Sequence, residues 1–182
     1  ALKTQMDYAE RRGSFVVGAY PDLVTHHLPT GIRKFRDEYP DVRIRLLARP
    51  YNALIQLVRT GEIDLAFCSP PPADDIALEF RELFQYNVVL MTPPGHPLLQ
   101  EHPVTLRDIV KSPLILTGPE SLLRQRVDQA LKTAGLPGDI VLALDDTESI
   151  KRYVEIGMGV AVGTDFAMHP EDHDRIGVTP LD

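Results

Sequence analysis

The stretch from Asp145 to Asp165, DDTESIKRYVEIGMGVAVGTD, leaves this chain few folds to choose from. Ile150, Val154 and Met158 recur at helical spacing, with Tyr153 and Gly157 one position before the latter two, which gives an amphipathic helix one apolar stripe. Asp145 followed by Glu148 reads as an acidic cap that opens the helix, and Gly157 as the left-handed residue that closes it. Gly159 then turns the backbone into Val160-Ala161-Val162, a run apolar enough to be covered on both faces. Helix, paired glycines and buried strand make half of a βαβ unit, and such a unit calls for a parallel sheet with helices over its faces.

The rest of the chain repeats that grammar twice. FVVGAY from Phe15 reads as a buried strand, followed by a helix with Leu28, Ile32, Phe35 and Tyr39 on one face, with Pro29 in its first turn and Pro40 as its stop. Val42 to Ala48 is a second strand. Asn52 then caps a helix with Leu54, Leu57 and Val58 facing inward and Gly61 at its end, and Ile63 to Cys68 is a third strand. Two extended pieces follow, LEFRELF from Leu78 and NVVLMTP from Asn87, and Thr105 to Val110 is a short helix. Pro113–Thr117, a helix over Leu122–Ala134, and Ile140–Leu144 restore the alternation; His169 to Arg175 is polar loop and Ile176 to Leu181 one more strand. The expected fold class is therefore α/β, with two Rossmann-like lobes joined by extended crossover strands. Residues 1–13 read as the end of a linker, 14–90 as a first lobe and 91–182 as a second.

Composition limits what such lobes can hold. The net charge of −7 repels a phosphate backbone, so nucleic-acid binding by this stretch itself is disfavoured. Cys68 is the only cysteine, which rules out an internal disulfide; after an apolar strand it reads as an inert thiol. There is no Gly-rich phosphate loop and no paired-cysteine zinc pattern, so no cofactor and no metal is expected, the acids and histidines of 169–174 being read as a solvated loop. No apolar run reaches membrane-spanning length and the first residues lack a secretory core, which reads as cytoplasmic.

In open parallel sheets, ligands sit outside the carboxyl ends of the strands, where helix amides point. That rule selects Tyr20, Pro21, Asp22, Arg49 and Ser69 in the first lobe and Thr117, Gly118 and Thr147 in the second. Arg49 carries a fork that matches a carboxylate, though an arginine there also suits a solvated strand end. Ser69 and Thr117 either donate to a ligand or cap the turns that follow; Asp146 and Thr147 read as caps of the helix they open, with ligand contact the lesser reading.

The order FVVGAY, FRDEYP, LIQLVRTGEIDLAF, VVLMTPPGHPL, PLIL and IKRYVEIGMGVAV resembles the effector-binding domain of LysR-type transcriptional regulators from Ser14 onward, with IKRYVEIGMGVAV most similar to the sulfur-assimilation, CysB and Cbl, branch. The resemblance implies a type II periplasmic-binding-protein fold and a small-molecule effector, an anion or small organic acid, in a cleft between the lobes. It further implies a dimer or tetramer, and DNA contact only through a separate N-terminal domain. Tyr20-Pro21-Asp22-Leu23 stands where that branch carries a threonine-rich sulfate pocket, replacing hydroxyl donors with a carboxylate, which counts against sulfate. The main alternative is a transporter's solute-binding protein of the same fold. An enzyme is disfavoured because no histidine or lysine stands at the strand ends beside the carboxylates.

Overall fold

The structure, a computed structural model, describes residues 14–70, 78–100 and 103–181; the expected linker at residues 1–13 lies outside them. It divides into two compact units between Arg81 and Glu82.

In the first unit, β1 (Ser14–Ala19) is flanked by β2 (Arg43–Ala48) on one side and β3 (Leu65–Phe67) on the other, all parallel. A wide π-turn, Leu23–His27, leads into α1 (Leu28–Glu38), and α2 (Tyr51–Arg59) connects β2 to β3. Phe35 of α1 stacks on Phe15 of β1 at 6.2 Å. On the opposite face of β1, Gly18 leaves room for Leu54 and Ile63: a Cβ there would stand 2.5 Å from the Leu54 side chain. Two sequence expectations are corrected. The residue before α2 is Pro50, so Asn52 lies inside the first turn rather than capping it; the proline's fixed φ already sets the start of the helix. The inward face of α2 is Tyr51, Leu54 and Ile55, with Leu57 and Val58 only half-buried.

The second unit carries a five-stranded sheet ordered β6-β5-β7-β4-β8, comprising β4 (Val88–Thr92), β5 (Leu114–Thr117), β6 (Ile140–Leu144), β7 (Val160–Thr164) and β8 (Gly177–Pro180). β5, β6 and β7 are parallel, while β4 runs antiparallel to both β7 and β8. Alongside the short α3 (Leu106–Ile109), α4 (Leu122–Ala134) covers one face through Val127 and Leu131, and α5 (Thr147–Glu155) covers the other through Ile150 and Val154. The expected strand LEFRELF does not form: Leu78 to Asn87 is irregular, pairs with no strand among the described residues, and ladder pairing begins at Val88. The lobe boundary expected after residue 90 falls inside β4.

The stretch around α5 differs from its reading in four details. The capping residue is Asp146, whose Oδ1 accepts from the Ser149 amide at 2.7 Å, one position beyond Asp145. The apolar stripe stops at Val154: Met158 lies past the helix end and is 43% exposed. Gly157 takes the left-handed conformation (φ 81°), but Gly159 is required for space, since a Cβ there would run into the Pro113 carbonyl. Finally, His169–Arg175 is not a solvated loop. Pro170–Asp174 is a 3-10 turn whose Asp172 is buried against Lys151 of α5, Nζ to Oδ2 2.6 Å, and accepts from the His169 amide at 2.8 Å. Lys151 also reaches Glu148 at 2.7 Å.

Candidate functional site

Both units share one strand order. In the first, the chain goes from β1 to β2 on one side, then crosses to β3 on the other; in the second, it goes from β5 to β6 and then crosses to β7. The direction of winding reverses at β1 and again at β5. At such a reversal the loops leaving adjacent strands diverge and open a crevice at the carboxyl edge.

At the crevice of the first unit the structure brings together Tyr20, which follows β1, and Ser69, which follows β3. The Ser69 amide donates to the Tyr20 hydroxyl at 3.3 Å, and the Ser69 side chain is buried. Beside them the Tyr51 hydroxyl donates to the Pro70 carbonyl at 3.2 Å, a contact the sequence reading missed; an aromatic directly after a strand-ending proline was its only signal. Pro21 is exposed, its carbonyl accepting from Thr25 Oγ1 at 3.1 Å, and Asp22 opens the π-turn without capping it by its side chain. Arg49 stands apart. It follows β2, on the other side of β1 from Ser69, and its guanidinium folds back to donate to the Ala48 carbonyl at 2.7 Å. Neighbouring Cys68 has its thiol pushed up to about 11 by burial, so it is protonated at neutral pH.

At the crevice of the second unit, Thr117 is half-buried at the end of β5 and its carbonyl accepts from Arg124 Nη1 at 3.2 Å. The buried Gly118 donates its amide to the Leu144 carbonyl at 3.1 Å, which ties the loop after β5 to the end of β6. Asp145 follows β6, and its carboxylate leans onto Gly118. Thr147 begins α5 behind the Asp146 cap, one strand away from the reversal. Past β7, Asp165 is closed off by Asn87, whose Nδ2 donates to Oδ2 at 2.8 Å, and Phe166 meets Tyr86 edge-on at 5.2 Å. A groove of about 710 Å³ runs along α4, lined by Leu106, Leu122, Gln125 and Arg126 among others, and is not at the strand ends.

Comparison with known proteins identifies the family and the fold. Residues 9–182 match the LysR substrate binding domain family. The transcriptional regulator CysB of Burkholderia cenocepacia is 31% identical over 176 residues, covering 96% of this chain and 56% of that protein. Among solved structures, the cofactor-binding domain of the Cbl transcriptional regulator superimposes with a TM-score of 0.79 at 29% identity, covering 95% of this chain and 75% of its own. The regulatory domain of Synechocystis CcmR, in complex with 2-PG, shares the fold with a TM-score of 0.82 at 20% identity, covering 93% of this chain and 80% of its own. The chain thus spans little more than half the length of CysB.

Proposed function

This chain belongs to the LysR substrate binding domain family, and on that premise we propose that it is the effector-sensing part of a bacterial transcriptional regulator, taking a small molecule at the carboxyl edges of its parallel strands. The observation that supports the reading is the repeated reversal at β1 and β5, with Tyr20 and Ser69 following strands of the first sheet and Thr117 and Gly118 at the end of β5 in the second. Pro21 and Asp22 follow Tyr20 into the π-turn, and Thr147 stands one strand away from the reversal at β5. Arg49 joins them only by turning its guanidinium away from the Ala48 carbonyl.

The relatives' names are those of transcriptional regulators, and CcmR's regulatory domain is named with a small molecule bound, which favours a regulator over a solute-binding protein. The mechanism is differential binding, with no bond made or broken: an effector that prefers one conformation shifts the population toward it, and the shift is read by DNA-contacting and oligomer-forming parts of the regulator. No described helix is long and apolar enough to cross a membrane, and a cytoplasmic regulator is what this reading expects.

The test is a thermal-shift and calorimetric screen of the chain against small organic acids, amino acids and inorganic oxyanions, repeated on Ser69→Ala and Thr117→Ala. A saturable ligand weakened by both variants is expected. A ligand indifferent to both would remove these crevices as its site.

A further inference from the structure

The loop after β6 begins with two consecutive carboxylates, and they do different things. Asp146 caps α5, its Oδ1 accepting from the Ser149 amide at 2.7 Å, so the helix mouth has its capping acceptor. Asp145 is therefore spare. It is exposed, and it makes no hydrogen bond or ion pair among the described residues. Gly118 leaves room for its carboxylate: a Cβ at residue 118 would stand 2.5 Å from Asp145 Oδ1. Any other residue at 118 would push the carboxylate away. The glycine lets the side chain cross from the end of β6 onto the end of β5, the strand at which the winding reverses.

Among the described residues no cation pairs with that carboxylate. Asp165, at the end of β7, already accepts from Asn87 Nδ2. Arg124, whose guanidinium reaches the end of β5, is held by both oxygens of Asp128, each at 2.9 Å, and by the Thr117 carbonyl. An oxyanion arriving at Gly118 would meet a like charge, whereas an ammonium would gain a charge-assisted hydrogen bond.

We propose that Asp145 is the specificity-determining residue of the effector site, selecting molecules that present an ammonium or similar charged N–H donor, with amino acids and related amines as the class, and rejecting simple oxyanions. This rests on the effector-sensing reading above.

The test uses three sets of probes on the chain and on Asp145→Asn: the twenty common amino acids, their matching carboxylic acids without the amine, and sulfate and phosphate. Asp145 is exposed, so the variant is expected to keep the unliganded melting temperature. The expected result is saturable binding of at least one amino acid about tenfold or more tighter than its amine-free partner, as removal of one charge-assisted bond predicts. In Asp145→Asn that ratio should fall to about 1. Oxyanion or amine-free binding as tight as amino-acid binding in the unmodified chain overturns the proposal, as does an amino-acid preference that survives Asp145→Asn, or saturable binding by none of the probes. Ser69→Ala and Thr117→Ala separate the two readings. A ligand weakened by these but indifferent to Asp145→Asn keeps the effector site and removes this selectivity, while one indifferent to all three removes the site as well.

Discussion

Single residues hold this fold at points where the chemistry leaves one choice. Gly159 is buried against the Pro113 carbonyl, a backbone atom that cannot move aside cheaply, so Gly159→Ala should cost about 2–3 kcal/mol in urea unfolding. Gly31 is the contrast: inside α1, with nothing within 4 Å of where a Cβ would stand, it should gain about 0.5–1 kcal/mol as alanine, because the unfolded chain loses freedom and the helix loses nothing. Thr179 on β8 is buried with its hydroxyl unpaired among the described residues. Thr179→Val keeps the shape and removes the unsatisfied group, so it should raise stability by about 1 kcal/mol rather than lower it. Unfolding midpoints of these three variants check all three signs.

At the scale of the element, α5 is held by a charge as well as by apolar packing. Lys151 occupies a fully buried position on the face shared with Ile150 and Val154, paired with Asp172 at 2.6 Å. Lys151→Met should cost about 3–5 kcal/mol, because it strands a buried carboxylate, and Asp172→Asn added to it should recover part of the loss. Burial pushes the Asp172 carboxyl up, but the Lys151 and His169 hydrogen bonds and the Lys151 charge more than offset it, leaving the group below the usual carboxylate range. A depressed carboxylate contributes stability that is present above its unfolded value of about 4 and is lost as pH falls through its folded one. Asp108, held down to about 2 first by Lys111 and then by Thr105 at the start of α3, acts in the same direction. Stability should therefore stay level from neutral pH to about 5 and fall below about 4, less steeply in the Lys151→Met/Asp172→Asn double variant.

At the scale of the whole molecule, the two units carry separate sheets, and the second has apolar clusters on both faces of its own. Residues 82–182 expressed alone should therefore unfold in one cooperative transition, which circular dichroism and calorimetry would show; a broad, non-cooperative melt would mean that this unit depends on the first. An effector at a hundred times its dissociation constant should stabilise the intact chain by about 2.7 kcal/mol.

How much of this was legible beforehand follows from what each feature depends on. Leu122–Ala134 and Ile140–Leu144 match their expected bounds, since helical spacing, Gly135 and a β-branched run are local signals. The carboxyl-edge rule named Tyr20, Ser69, Thr117 and Gly118 because it needs only strand order, and it also named Arg49, whose hydrogen bond back to Ala48 no spacing could reveal. LEFRELF has a strand's composition, but a strand exists only where another offers it hydrogen bonds. By itself the sequence determined the alternation of elements and the parallel triplets β2-β1-β3 and β6-β5-β7, because these rest on periodicity and turn chemistry within a few residues, and its motifs carried the resemblance to the family; that β4 enters the second sheet antiparallel was not legible in it. Only the tertiary structure decided that Lys151 is buried against Asp172 and that Asp145 lies over Gly118, because each depends on atoms brought together from distant parts of the chain.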